Sequence, residues 1–196
     1  MRTATIERKT AETEVSLTID LDGSGKAQIH SGIGFLDHML ELFAKHSGCD
    51  LTVQGKGDIQ VDDHHLTEDI GIVIGQAMKK ALGDKAGIRR YGDILLPMDE
   101  ALMLAAVDCS GRPFFVWDVT LPKPKVGNWD SELAEDFFRA LAVNGGLTLH
   151  MRLLSGANTH HIIEAAFKAC ARALREAFGP DPREQGVPST KGTLNG

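Results

Sequence analysis

The sequence predicts a mixed α/β chain built by internal duplication. Three observations predict it: segments of alternating polarity that read as half-buried strands, segments with apolar residues at three- and four-residue spacing that read as helices, and a His-His-x-x-Glu pattern that occurs twice. The first copy is His64-His65-Leu66-Thr67-Glu68 and the second is His160-His161-Ile162-Ile163-Glu164.

Taken in chain order, Val15 to Asp20 alternates and reads as a strand, and Asp20-Leu21-Asp22-Gly23-Ser24-Gly25 supplies the turn after it. Phe35 to Lys45 carries helical periodicity, as does Ile70 to Leu82 behind the first motif, with Gly83 standing where a helix end favours glycine. Leu121-Pro122-Lys123-Pro124-Lys125-Val126-Gly127 interrupts the middle as a loop or short linker. Leu133 to Val143 is a third helix, Leu147 to Arg152 another alternating strand, and Ile162 to Phe178 a fourth helix before Gly179. Beyond Gly179 the chain turns rich in Pro, Gly and Ser/Thr, which by composition alone reads as a frayed end.

Composition narrows the function classes. With 196 residues, 42% hydrophobic and 24% charged, the chain can bury one substantial core or two closely fused ones, and a disordered or fibrous protein is excluded. Lys plus Arg is 21 against 27 for Asp plus Glu, a net charge of -6, so no cationic excess is present to neutralise a nucleic-acid backbone. The longest apolar run, Ala101 to Val107, is too short to span a bilayer, and Met1 to Thr10 is polar, so neither a membrane nor a secretory route is expected and the predicted location is cytoplasmic. Cys49, Cys109 and Cys170 are odd in number, far apart and outside any Cys-x-x-Cys pair, which predicts reduced, buried thiols.

Upstream of each motif lies another helix, with His38 preceding His64 by 26 residues and Asp136 preceding His160 by 24. An isolated adjacent histidine pair is ordinarily a helix cap or a polar surface feature; its repetition at equivalent places argues for ligands. If the motif opens a helix, residues four apart share a face, so His64 and Glu68, or His160 and Glu164, can reach one cation. The neighbouring His65 or His161 projects about 100° away and can serve a second ion. His38, His64, His65, Glu68, Asp136, His160, His161 and Glu164 are then eight candidate ligands for two ions, leaving open positions on each. Imidazole with carboxylate and no thiolate suits manganese, iron or zinc better than magnesium or calcium, and open octahedral sites favour the first two for Lewis-acid chemistry. His30 and His46 have no counterpart in the other half and read as surface residues, and His150 as a strand-face residue. Asp62, Asp63 and Asp69 either orient imidazoles or cap the helix.

Gly34-Phe-Leu-Asp-His-Met-Leu40, Asp62-Asp-His-His-Leu-Thr-Glu-Asp69, Ser110-Gly-Arg-Pro113, His160-His-Ile-Ile-Glu-Ala-Ala-Phe-Lys-Ala169 and Pro188-Ser-Thr-Lys-Gly192 resemble, in this order and over nearly the whole chain, the imidazoleglycerol-phosphate dehydratases. The resemblance implies a hydro-lyase of histidine biosynthesis that converts imidazoleglycerol phosphate to imidazole acetol phosphate with two Mn2+ per active site. It also implies two half-domains of similar topology, residues 1–92 and 93–196, each a mixed sheet covered by helices in the manner of the second domain of ribosomal protein S5. It assigns His64, Glu68 and His160 to one ion, and His38, His65, His161 and Glu164 to the other. The remaining ligand position falls on Asp136, where relatives often carry histidine, and a carboxylate can coordinate there too.

The same resemblance places the substrate phosphate on Arg90, Arg112, Ser189, Thr190 and Lys191, with Arg89 left as a solvated charge; guanidinium grips phosphate bidentately and lysine adds a point charge. On this reading the tail is part of the site. Glu12 matches a substrate-contacting glutamate and is the acid/base candidate, with Glu14 its competitor; Glu12, His65 and Glu164 make up the expected catalytic set. The hydroxyl to be lost lies beside the imidazole ring and the proton to be removed is not acidic by itself, so the ring must do the activating. The expected route is a dimanganese-bound imidazolate that expels hydroxide and yields an enol. The family's architecture further implies a homo-oligomer of twenty-four subunits with active sites at interfaces, acting on a small phosphate ester. From the residues alone, a dinuclear metallohydrolase acting on a small phosphorylated substrate is the alternative, and a metal-storage module would have no use for Arg90, Arg112 and Lys191.

Overall fold

The computed structural model describes residues 1–194 of the 196. In chain order the elements are β1 (Thr3–Lys9), β2 (Thr13–Asp20), β3 (Ala27–His30), α1 (Gly34–Ser47), β4 (Asp50–Gly57), α2 (His64–Leu82), β5 (Tyr91–Met98), β6 (Ala101–Asp108), β7 (Phe114–Asp118), β8 (Lys125–Val126), β9 (Trp129–Asp130), α3 (Leu133–Gly145), β10 (Thr148–Ser155) and α4 (Thr159–Phe178). One four-stranded sheet has the order β1-β2-β4-β3 and the other β5-β6-β10-β7. Replacing β1, β2, β3 and β4 by β5, β6, β7 and β10 converts one sheet into the other, and α1 and α2 then correspond to α3 and α4. The repeat visible in the motifs is therefore a repeat of a whole folding unit. In each unit the β3–β4 or β7–β10 pair is parallel, so a crossover helix joins its strands, while the remaining pairs are antiparallel.

Alternation sets which face is inward. In β2, Thr13, Val15, Leu17 and Ile19 are buried and alternate with exposed residues, and in β6 the buried Ala101, Met103, Ala105 and Val107 alternate with half-buried ones. α2 lies on β1 and β2, and α4 lies on β5 and β6. The helices of the two units pack across each other, α1 against α4 and α2 against α3. The result is a helical layer between two sheets, with one continuous apolar core in which Phe137, Phe138 and Phe167 meet at ring separations of 4.7–5.3 Å. This exchange of helix partners brings the first unit's upstream helix to the second unit's motif.

Both motif helices begin earlier than apolar periodicity predicts, at His64 and Thr159, because their first turns are polar and carry the motif itself. The Leu121–Gly127 segment contains β8, which forms a small hairpin with β9. Gly83 takes a positive φ of 57°, whereas Gly179, at φ -59°, does not. Gly92 has a packing reason: a Cβ there would collide with the Ala173 carbonyl oxygen and stand 2.8 Å from the Ala177 nitrogen, both backbone atoms of α4. Gly92→Ala is accordingly expected to cost about 3 kcal/mol, at the upper end of overpacking effects. A lowered Tm in calorimetry checks this, and an unchanged Tm would contradict the tight seating of α4 on β5.

Candidate active site

Both motifs sit at helix N-termini, and each start is fixed by a side chain two residues upstream. Asp62 Oδ1 accepts the His64 N–H at 2.8 Å and Asn158 Oδ1 accepts the His160 N–H at 2.9 Å, satisfying donors that a helix start leaves open. Within each pair the rings stand almost perpendicular, at 89° with centroids 6.0 Å apart for His64 and His65, and at 84° and 6.2 Å for His160 and His161. The two histidines of each pair therefore present their rings to different surroundings.

Along α4, His160 Nε2 lies 3.2 Å from Glu164 Oε2, and α1 brings His38 Nε2 to 3.8 Å from the same oxygen. One donor atom from each of the three falls within 4.8 Å of the others, and among the described residues they are the one such group of three. Donors on opposite sides of an ion with bonds of about 2.2 Å stand about 4.4 Å apart, and both imidazole–carboxylate distances, 3.2 and 3.8 Å, fall within that span. Two imidazoles with a carboxylate suit a divalent transition-metal cation such as Mn2+, Fe2+ or Zn2+. The half-exposed rings of His38 and His160 leave a solvent-facing side for a substrate. Phe35 stacks edge-on to His160 at 5.3 Å and against the buried Trp129 at 5.2 Å, walling the triad.

Glu164 is 7% exposed, and its second oxygen pairs with Lys168 Nζ at 2.6 Å. Burial pushes its carboxyl up, but the Lys168 ammonium and His160 outweigh that and hold it below the ordinary glutamate range, so it is a carboxylate. Lys168 escaped the sequence reading; its only signal was the four-residue spacing from Glu164, which any exposed helical ion pair would share.

The equivalent cluster in the first unit is less complete. His64 Nδ1 approaches Asp136 Oδ2 at 3.7 Å, the counterpart of His38 meeting Glu164 and His160, while Glu68 is exposed. The expected grouping of His64 and Glu68 with His160 does not form within one chain, because His160 is held against His38 and Glu164.

The second histidines face carboxylates on strand ends. His65 Nδ1 lies 3.1 Å from Asp58 and 3.7 Å from Glu12, and His161 Nδ1 lies 2.7 Å from Glu100. These partners raise the pKa of both imidazoles, and the bond to His161 leads the effects that pull Glu100 down to about 2. Asp58 and Glu100 are thus the imidazole orienters, and Asp62, Asp63 and Asp69 are not. Asp62 caps α2, while the buried Asp69 accepts from Arg8 Nε at 2.8 Å and from the Thr13 hydroxyl, tying down the ends of the β1–β2 hairpin. Glu12 faces His65 from that hairpin's turn, and Glu14 pairs instead with Lys9 at 2.9 Å.

Arg90, Arg112, Ser189, Thr190 and Lys191 line one cavity of about 550 Å³. Arg90 is largely committed within it, donating from Nε to Asp108 at 2.8 Å and from a terminal nitrogen to the Pro188 carbonyl at 2.9 Å. Arg112 is more exposed and reaches Asp108 only at 3.9 Å, leaving its guanidinium to face the cavity. Arg89 pairs with Glu176 on the surface, and His30 and His150 are exposed. His46, expected at the surface, is half-buried, and burial lowers its pKa. Cys49, Cys109 and Cys170 are buried and unpaired with one another, as expected.

These features define a class: a duplicated α/β protein whose motif helices open on histidine–carboxylate clusters suited to cations, with a separate cationic cavity suited to an anion. Residues 31–174 match the imidazoleglycerol-phosphate dehydratase family. The imidazoleglycerol-phosphate dehydratase of Desulforamulus reducens is 60% identical over 193 residues, covering 98% of each chain, and that of Methylorubrum populi is 60% identical over 195 residues, covering 99% of this chain and all of the relative. The crystal structure of the Staphylococcus aureus dehydratase superposes with a TM-score of 0.84 at 45% identity, covering 91% of this chain and 99% of that one. The Pyrococcus furiosus protein, solved in complex with (S)-C348, gives 0.83 at 38% identity, with 96% and 99% covered. The chain belongs to the imidazoleglycerol-phosphate dehydratase family and is a carbon–oxygen lyase, which displaces the metallohydrolase alternative.

Proposed function

We propose that this chain dehydrates imidazoleglycerol phosphate to imidazole acetol phosphate, a step of histidine biosynthesis, at a centre of two Mn2+ per active site. The observation that carries the reading is the His38–His160–Glu164 triad, placed by fold duplication opposite a partial counterpart at His64 and Asp136. His38, His64, His65, Glu68, Asp136, His160, His161 and Glu164 hold the ions. When bound, the ions would supply Lewis acidity to the substrate's imidazole ring. Arg112, Lys191, Ser189 and Thr190 hold the phosphate dianion, with Arg90 bracing the tail against Asp108. Glu12 moves the proton: the C–H next to the carbinol carbon is lost, the C–O bond beside the ring breaks, water leaves, and the resulting enol becomes the ketone.

The division of the ligands supports assembly. One chain gathers a full triad on one side and a partial set on the other, so the reading completes each centre between subunits of a homo-oligomer of twenty-four subunits. The outer face of the second sheet adds support, since Leu95, Phe114 and Leu154 are exposed there, where the first sheet presents Thr5, Ser16, Thr18 and Gln54.

The test measures bound manganese per chain together with ketone formation from imidazoleglycerol phosphate, in wild type and in Asp136→Ala. The expected result is about two ions per chain and turnover in wild type, with metal and activity both reduced in the variant. Turnover by metal-free protein would overturn the reading, and an unchanged Asp136→Ala would remove that residue from the ligand set.

A further inference from the structure

Lys85 is a charged residue in an apolar place. It is 2% exposed, in the loop between α2 and β5, and its Nζ donates at 2.9 Å to the carbonyl of Leu194, itself 2% exposed. Burial pulls its ammonium below the ordinary lysine pKa, so holding the charge there has a cost. A methionine would fill the same space without that cost. Lys85 also adopts a left-handed backbone with φ 64°, sterically disfavoured for a residue with a side chain.

The surroundings supply a reason. The 85–90 loop and the chain after α4 run side by side: Arg89 N–H donates to Gly179 O, Asp181 N–H to Gly87 O, and Gly87 N–H to Gly186 O, all at 2.8–2.9 Å. Arg90 then grips the Pro188 carbonyl at 2.9 Å, and Lys85 grips the Leu194 carbonyl. Residues 189–193 arch between those two anchors and carry Ser189, Thr190 and Lys191 into the cationic cavity. Arg90, the other anchor, is likewise left-handed, with φ 71°. Two cations of one loop, both held in a disfavoured backbone conformation, thus fasten the two ends of the arch.

We infer that Lys85 is a positioning residue for the substrate's phosphate: its bond to Leu194 closes the far end of the Ser189–Lys191 arch over the cavity. The inference rests on the proposed phosphate-binding role of Arg112, Ser189 and Lys191. Releasing one end of a short loop restores conformational freedom that binding must then remove, which weakens the phosphate contacts without touching the reacting carbon.

The experiment uses the full-length, manganese-loaded protein. Lys85→Met is expected to raise KM for imidazoleglycerol phosphate about tenfold, the weight of one charge-assisted hydrogen bond, with kcat within about twofold. Competitive inhibition by inorganic phosphate weakens in the same proportion, and trypsin cuts faster after Lys191. Truncation after Thr193 reproduces the rise in KM, and Lys85→Met adds nothing further in that background. An unchanged KM, a fall in kcat alone, or multiplied effects in the double variant overturns the inference. Should Lys85→Met fail to fold, the truncation decides by its own KM. Arg112→Ala separates the two levels: if it leaves KM unchanged the phosphate-site reading itself fails, and if it raises KM while Lys85→Met does not, only the clamp fails.

Discussion

Glu164→Gln is expected to lower turnover by more than a thousandfold and to strip manganese from the protein while the fold persists. Glu164 is the one residue that touches every member of its cluster, at 3.2 Å from His160, 3.8 Å from His38 and 2.6 Å from Lys168. Its charge serves two cations, the partly buried Lys168 ammonium and the proposed metal ion. The amide keeps the shape and can still accept from Lys168, so the helix remains packed, but two neutral imidazoles replace a charged ligand set. Loss of a residue that merely orients a ligand costs about 10–100-fold in metal affinity or activity, and loss of a charged ligand costs more. Manganese content by elemental analysis, circular dichroism and ketone formation decide it together. A variant that retains its metal and turns over within tenfold of wild type would remove Glu164 from the ligand set.

Local chemistry was legible in the sequence and long-range partnership was not. The i, i+4 spacing of His160 and Glu164 follows from helix geometry, and it appears as a 3.2 Å contact. Strand alternation in Val15 to Asp20 and Leu147 to Arg152 and the periodicity of four helices likewise follow from short-range rules, and the elements stand close to where those rules place them, apart from the polar first turns of α2 and α4. What periodicity does not encode is that the helices of the two units exchange partners. Within the repeat His38 precedes the first motif, yet in space it meets Glu164 of the second, because α1 packs on α4. Asp58 and Glu100 were invisible for a related reason. They lie at strand ends, and they reach His65 and His161 only once the sheets and helices are stacked. The tail after Gly179 reads as frayed from its composition because its anchors, Lys85 and Arg90, belong to a loop about a hundred residues earlier.

Glu12→Gln is the companion test, because it should separate chemistry from metal binding. Glu12 stands in the β1–β2 turn with Oε2 3.7 Å from His65 Nδ1, close enough to a proposed ligand to act beside the centre and on a different element from the motif helices. The amide variant retains size and hydrogen-bonding capacity but can neither take nor give a proton. A positioned general acid or base contributes about 10²–10⁴-fold, so kcat is expected to fall by that factor while manganese per chain and inhibition by inorganic phosphate stay at wild-type values. Glu14→Gln is the control. Its carboxylate is bound to Lys9 on the neighbouring strand, which holds its pKa down and turns it away from the His65 pair that Glu12 makes. Near-normal turnover in that control, set against the loss in Glu12→Gln, would place proton transfer on Glu12. Equal loss in both would point to the hairpin's shape instead, and loss of manganese from Glu12→Gln would make Glu12 a ligand.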